Sequence, residues 1–487
     1  MTSPPFRQRR LRDRTIAAGL AVAAVAIGLA VYSSSDIANT SLNTTSPTDA
    51  PAGAWSAATI PSPTSVVPSA LTQKWTAATD PTLGAVASAS GVVVTTDPTT
   101  VTAHDAYTGV QRWSYSRSNR SLCAVGSGDV GPADMGSSAS VAGIATVYDE
   151  NGFCSQVMTF DPVTGDRGDV RTSANEEKGS LAFGGPYAGW LGPDRVEVWR
   201  FDLVRTIQYG NQANPTKPNE SRLGCTFTDL ALAGNQFATV EHCPAEGTNA
   251  RVVLNFDDPG SVANHPDGWD VFQHNVRVDI DTGATAARIV GITADRVAVL
   301  VSGPTPAVVV YDASGKKTST TPVDIPAAAI VAADSVKTPA QITPAVPTQN
   351  ERYSFVGGYV LAISTPTVVA APPKTSFSSS TPTSSSSITG VLNPSSSASN
   401  TVSVVDLKLD WVATDALGLP ATLGNSVLLP TKAGLSVFDE STGPGALGAA
   451  GGQVIKVDRG SYSGRVDATA VGKMIIEDRG SSVVGLG

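Results

Sequence analysis

From Leu71 onward the chain runs in short apolar stretches, each stopped by turn residues. VVVTT (92–96), IATVY (144–148), RVEVW (195–199), ARVVLNF (250–256), RVAVLV (296–301) and AVVVYD (307–312) are rich in β-branched residues and read as strands. No segment beyond Tyr32 holds an apolar 3.6-residue period long enough to predict a helix. Between strands one phrase recurs: an apolar residue, Asp, two or three small residues, then Gly. It appears as HDAYTG (104–109), FDPVTG (160–165), YDASG (311–315) and FDESTG (438–443). Related forms are FDLVRT (201–206), FDDPG (256–260) and VVDLKL (404–409). An Asp side chain closes onto nearby backbone amides and Gly accepts positive φ, so each copy predicts a tight hairpin turn. Asp105, Gly109, Asp161 and Gly165 are therefore structural residues.

The turn aspartates fall at 105, 161, 202, 257, 312, 406 and 439. The widest gap holds a Ser- and Pro-rich stretch, 371–400, which cannot supply core and reads as a disordered insertion. Without it the units average about 50 residues, the spacing of β-propeller blades. The predicted fold is all-β: a propeller over residues 71–487, of about seven degenerate four-stranded blades, with six or eight also open. LTQKWTAAT (71–79) is a lone strand, so the first and last segments are expected to share a blade and close the ring.

The first 70 residues differ. A basic tail, 1–14, carries Arg7, Arg9, Arg10, Arg12 and Arg14; an uncharged run, 15–32, follows. At about 1.5 Å per residue that run just spans the hydrocarbon core, so it predicts one transmembrane helix. The arginines put the N-terminus in the cytoplasm and the bulk of the chain outside, making it a single-pass plasma-membrane protein. A cleaved signal peptide is the alternative, although YSSSDIANTS shows no clear A-x-A site. Residues 33–70, rich in Ser, Thr, Pro and Ala, predict a disordered stalk.

Charge narrows the partners. With 33 basic and 42 acidic residues the net charge is −9, and beyond the tail no basic stripe exists to hold nucleic acid. Four cysteines, Cys123, Cys154, Cys225 and Cys243, form no C-x-x-C, which disfavours zinc and, in an exported chain, suggests disulfides. Three pairings are open; neighbours in sequence, Cys123–Cys154 and Cys225–Cys243, are expected, each within one or two repeats.

Candidate chemistry is thin. GSGDVG (126–131) matches G-x-G-x-x-G, but Pro132 opens no helix for a phosphate and a loop is expected. The four histidines form no close ligand pair, GSYSG (460–464) lacks nucleophile spacing, and DIDTG (279–283) is too short for a calcium loop. No catalytic residue, metal or cofactor is assigned, and no enzyme activity is expected. In WRFDLVRTIQYG (199–210), Trp199, Arg200, Arg205 and Tyr209 set aromatics beside cations, suited to sugar hydroxyls, phosphate or a carboxylate; interblade packing and salt bridges are the alternative. Arg205 is expected to reach Asp202 across the hairpin.

VTAHDAYTGVQRWSYSR (101–117) resembles the quinoprotein-type propeller repeat, through Ala103, Asp105, Thr108, Gly109 and Trp113. The resemblance implies that Trp113 packs between blades; the other copies lack this Trp. It brings no quinone, because the vicinal cysteine pair of such enzymes is missing here. The Arg-rich tail, single span, stalk, LTQKWTA, the segment around Cys123 and VEVWRFDLVRTIQYG (196–210) together resemble a wider family. These are the single-pass, extracytoplasmic propeller proteins of mycolate-bearing actinobacteria, related to the polar growth factor associated with the mycolate exporter. Membership implies a binding or scaffold role in envelope assembly: trehalose monomycolate transport, lipoglycan maturation and polar growth. It further implies a membrane transporter of envelope lipids as partner, and propeller loops around a central depression suit a partner protein or a glycolipid head. The alternatives are a propeller enzyme acting on envelope sugars or quinone-linked substrates, and a propeller serving outer-protein assembly.

Overall fold

The recurring aspartates close their turns as the sequence predicts. Asp105 Oδ1 accepts the amides of Tyr107 and Thr108 at 3.0 and 2.9 Å, and Gly109 takes φ +70°. Asp161 accepts those of Val163 and Thr164, both at 2.8 Å, with Gly165 at φ +76°. Asp312 and Asp439 accept Ser314 and Ser441 in the same way. The computed structural model describes residues 6–44, 64–88, 90–128, 143–173, 178–185, 187–212, 221–233, 236–256, 276–334, 352–364, 407–445 and 453–487. Asp257, Asp406 and the insertion 371–400 lie outside them.

The chain opens with helices α1 (Phe6–Ser34) and α2 (Asp36–Asn39), then strands β1 (Thr40–Thr44) and β2 (Gln73–Ala78). Blade 1 holds β3 (Val86–Ser88), β4 (Val92–Thr96), β5 (Thr100–Asp105) and β6 (Gln111–Arg117). Blade 2 holds β7 (Leu122–Gly128), β8 (Gly143–Glu150), β9 (Phe153–Phe160) and β10 (Arg167–Thr172). Blade 3 holds β11 (Ser180–Gly184), β12 (Tyr187–Leu191), β13 (Arg195–Arg200) and β14 (Arg205–Gly210). Blade 4 holds β15 (Thr226–Ala233), β16 (Gln236–His242), β17 (Arg251–Phe256) and β18 (Val276–Asp281). Blade 5 holds β19 (Ala287–Ile292), β20 (Arg296–Val301), β21 (Ala307–Asp312) and β22 (Lys317–Pro322), and helix α3 (Ala327–Asp334) follows it.

Blade 6 shows three described strands, β23 (Tyr353–Val356), β24 (Tyr359–Ser364) and β25 (Lys408–Ala413). The predicted insertion thus falls between β24 and β25. Blade 7 holds β26 (Ala421–Leu423), β27 (Ser426–Thr431), β28 (Gly434–Asp439) and β29 (Gln453–Ile455). Blade 8 joins β30 (Asp467–Val471), β31 (Met474–Asp478) and β32 (Ser482–Leu486) to β2 from the far end of the chain. The termini do share a blade: β2 pairs antiparallel with β32, from Gln73↔Leu486 to Ala78↔Ser482.

The ring has eight blades, one more than the preferred count of seven. The reason is physical. Blade 8 receives its fourth strand from the N-terminal side, so no hairpin turn links its third and fourth strands and no turn phrase marks it. Two further elements depart from the sequence reading. Part of the predicted stalk is ordered, because α2 and β1 fall within 33–70 and β1 adds a fifth strand to the outer edge of β6, from Thr40↔Arg117 to Thr44↔Trp113. An exposed strand edge offers amides and carbonyls to any extended segment, a pairing composition does not encode. Helix α3 also forms where no helix is predicted; its eight residues include the buried Ile330 and Asp334.

Strand alternation divides the apolar side chains between neighbouring interfaces. Val297 and Val299 of β20 pack with blade 4, whereas Ala298 and Leu300, alternating with them, pack toward blade 6. Each blade is thus apolar on both faces, as its uninterrupted hydrophobic runs require. Indole rings and turn glycines make close contacts between blades. The Trp113 indole on β6 donates to Pro162 O in the next blade's turn at 2.9 Å and lies where a Cβ on Gly165 would come within 2.5 Å. Trp75 on β2 does the same to Ala106 O and Gly109, and Trp411 on β25 to Glu440 O and Gly443. The inter-blade role implied for Trp113 therefore has two more copies, in units too degenerate to match the repeat.

Connections after the first and third strands share one face of the ring, and those after the second and fourth share the other, because successive strands reverse direction. We call them the turn face and the linker face. The disulfides join Cys123 to Cys154 within blade 2 and Cys225 to Cys243 at the start of blade 4, the expected neighbouring pairs.

Gly165→Ala is expected to destabilise the fold by about 2–5 kcal/mol, combining an L-residue at positive φ with overpacking against Trp113. Gly152→Ala, at φ +86° with nothing within 4 Å of a Cβ, should lose only about 1–2 kcal/mol, for backbone strain. Denaturant melts giving the two variants equal losses would refute the inter-blade contact.

Ring closure carries a pH signature as well. Burial pushes the Asp478 carboxyl up to about 6, while it accepts Ala85 N from blade 1 at 3.0 Å. The folded state then binds more protons than the unfolded state between the two pKa values. This group's contribution should accordingly be greatest below pH ~4, fall as pH rises toward 6 and level off above it. Carboxyl NMR titration of Asp478 with a midpoint near 4 would contradict this.

Candidate functional site

The four residues singled out on 199–210 do not form one site. Trp199 and Tyr209 are both fully buried, but on opposite sides of blade 3. Trp199 joins the core shared with blade 2, and Tyr209 the core shared with blade 4. The Tyr209 hydroxyl donates to Glu241 Oε1 at 2.6 Å, and burial followed by that carboxylate drives its pKa well up. Arg200 and Arg205 remain 39% and 33% exposed beside the blade 3 turn, on the turn face. The expected Arg205–Asp202 pair is corrected: Arg200 takes Asp202, at 2.6 and 3.1 Å. Leu203 at φ +56° tightens this turn, and Arg200 N donates to Val204 O at 2.9 Å, which folds the Asp202 side chain back toward Arg200. Arg205, opposite Trp199 in the ladder, runs along the sheet to Gln208 Oε1 at 3.1 Å and lies 4.0 Å from Glu197 Oε1.

Three buried glutamates organise the charges that motif reading passed over. Glu197 meets Arg171 at 3.0 Å; Glu241 meets Arg222 at 2.7 Å and also accepts from Thr239; Glu477 meets Arg459 and Arg479 at 2.6 and 2.8 Å. All three carboxylates are solvent-inaccessible. Burial raises the Glu241 pKa, against the opposing pull of Arg222 and Tyr209. A signal existed: RVEVW, ATVEHC and MIIE (474–477) each place one carboxylate inside an apolar strand, where it needs a partner. Cys225, Glu241 and Cys243 also lie close enough to suggest metal ligands, but both sulfurs are joined in the disulfide.

Other sequence candidates resolve into packing. His104 bonds Gly109 O at 3.1 Å and Thr95 Oγ1 at 2.9 Å, and burial lowers its pKa. The first half of GSGDVG is strand β7, where Gly126 and Gly128 make room for Phe183 of the next blade. On the linker face, Asp334 at the end of α3 accepts Ala287 N at 2.8 Å and pairs with His242 at 3.0 Å, which raises the imidazole pKa.

One densely bonded surface group, Asp36, was not singled out from the sequence. Asp36, two residues beyond α1, accepts Arg120 Nε at 2.9 Å and Nη2 at 3.1 Å, Asn119 Nδ2 at 2.9 Å, and lies 2.6 Å from Arg117 Nη2. Arg120 foremost, with Asn119 and Arg117, holds its carboxyl well below the usual carboxylate range. Arg120 also bonds Asp149 O and Glu150 Oε1, at 3.1 and 3.2 Å. Asn39 adds a second tether: its amide donates to Ser33 O at 2.7 Å, and its carbonyl accepts Ser118 N at 2.9 Å. The apolar helix is thereby bonded to the linker face where blades 1 and 2 meet. Arg12–Ser34 within it, 23 residues with none of its most apolar window buried, is long and apolar enough to cross a membrane or to serve as a signal sequence.

No protein-family model matches the chain, and no curated protein matches it. Among solved structures the chain is similar to BamB from Moraxella catarrhalis, at 14% identity and TM-score 0.38, over 85% of this chain and 99% of that one. It is similar to the computationally designed Ika8 protein, at 12% identity and TM-score 0.39, over 81% and 92%. It is also similar to the Neurospora crassa Pan2 WD40 domain, at 8% identity and TM-score 0.38, over 87% and 97%. The blade assignment rests on the strand pairing above.

Arg171→Ala, which strips a partner from the buried Glu197, should cost about 3–5 kcal/mol. Arg200→Ala, which opens an exposed pair, should cost at most about 1 kcal/mol. Melts that reverse this order would show that the exposed arginine, not the buried pair, holds blade 3 together.

Proposed function

We propose that the protein is a membrane-anchored binding and scaffold propeller, standing outside the plasma membrane with its N-terminus in the cytoplasm. The observation that carries this reading is the bonded junction between α1 and blades 1 and 2. An apolar helix joined through Asp36 and β1 to the linker face leaves the turn face pointing away from the helix. A disc held this way offers its far loops to a second molecule. Arg200 and Arg205 lie on that face, with chemistry suited to a glycolipid head or a carboxylate. The five arginines that precede the apolar run favour this orientation.

The finer reading follows the resemblance to mycolate-envelope propeller proteins. The client is a membrane transporter of envelope lipids, and the work is trehalose monomycolate transport, lipoglycan maturation and polar growth. The test is crosslinking in the source cells, followed by purification through the propeller. A lipid transporter should be enriched, and Arg200→Ala with Arg205→Ala should lower its recovery without shifting the melt. A clean purification with the propeller intact and no envelope transporter enriched would defeat the reading.

A further inference from the structure

The junction that ties α1 to the ring also carries apolar groups to a defined height. Tyr32 is the last large apolar residue of α1, the helix ends at Ser34, about 3 Å further at helical rise, and Asp36 follows directly after the extended Ser35. The headgroup layer extends about 5–7 Å beyond the hydrocarbon on each side. With α1 in a bilayer, Asp36 and whatever it holds therefore lie in the headgroup layer. Asp36 holds Arg120, and Arg120 holds Asp149 and Glu150, the residues that open the β8–β9 turn.

That turn is built to project. Asn151 and Gly152 take φ +58° and +86°, and a Cβ on Gly152 would meet nothing within 4 Å. Phe153 follows at 50% exposure, and Cys154 anchors the base of the turn through its disulfide to Cys123. Ile37, beside the Asp36 clasp, is 83% exposed. Both side chains thus sit beside the point where the apolar helix ends, on the face from which it leaves. An exposed aromatic and an exposed aliphatic side chain are costly in water and favourable at the acyl–headgroup boundary.

We infer that Ile37 and the Phe153 turn form a second membrane contact, seated on the lipid surface of the bilayer that holds α1. The propeller then stands with the rim of blades 1 and 2 on the membrane instead of swinging on a free tether. This rests on the anchor reading of α1. The Asp36–Arg120–Glu150 chain is the positioning device; Ile37 and Phe153 are the groups that touch lipid.

The test uses the full-length protein in phospholipid nanodiscs, with its disulfides oxidised so that only an introduced cysteine takes an environment-sensitive dye. Ile37→Cys, Phe153→Cys, Val204→Cys on the turn face and Leu20→Cys inside α1 are labelled separately. Quenching by nitroxide-bearing lipid is compared with quenching by aqueous iodide. Leu20 should be quenched by lipid, Val204 by iodide, and Ile37 and Phe153 several-fold more by lipid than Val204. Adding Arg120→Ala to Phe153→Cys should shift that site toward iodide, while a normal melt shows the ring intact. Lipid quenching at Leu20 with Ile37 and Phe153 behaving like Val204 overturns this inference alone. Iodide quenching at Leu20 overturns the anchor reading and this inference with it.

Discussion

The architecture depends on one contact between blades: a large side chain on an outer strand laid against a turn that has no Cβ to obstruct it. At Trp75–Gly109, Trp113–Gly165 and Trp411–Gly443 the indole also donates its N–H to a carbonyl of the same turn. The turn can approach only because Gly adopts positive φ there, and it is held in that shape by an Asp side chain accepting one or two backbone amides. Blade 5 uses the same principle with Val278 and Ile280 of blade 4 against Gly315. Local turn chemistry thus becomes long-range order. Among the described residues, blade 8 docks to blade 1, blade 1 to blade 2, blade 4 to blade 5 and blade 6 to blade 7 in this way.

Closure then places unusual demands on the two ends of the chain. Blade 8 needs β2, so the segment after α1 must reach the ring before the ring can shut. Along the chain, Asp36 and the added strand β1 meet blade 1, and β2 beyond them pairs with β32. Anchor and ring are coupled by the same few residues. A helix on a loose stalk would leave the disc free to present any face; the bonded junction distinguishes the linker face from the turn face.

The charges of the described core follow a related logic. Glu197, Glu241 and Glu477 sit in apolar strands where an unpaired carboxylate would be strongly unfavourable, and each is met by at least one arginine. Such pairs add little net stability over apolar packing, but they penalise any other register. The Arg171–Glu197 pair does this across the interface between blades 2 and 3.

Much of this was legible in the sequence. The strands, the Asp–Gly turns, the apolar N-terminal helix and the neighbouring disulfide pairs all depend on interactions within a few tens of residues or on simple periodicity. That the first and last segments share a blade was legible from the lone strand at 71–79, but its count as an eighth was not, because it pairs residues more than 400 positions apart and leaves no turn to count. Nor was the separation of Trp199 from Tyr209. Alternation says that side chains on a strand point to opposite faces, but the ladder and its bulge decide which neighbour each face meets. Asp36 looked like part of a polar stalk until blade 1 supplied Arg117, Asn119 and Arg120. Sequence determined the pieces through local backbone chemistry; tertiary structure alone decided which surfaces they share, because those contacts exist only once the ring is closed.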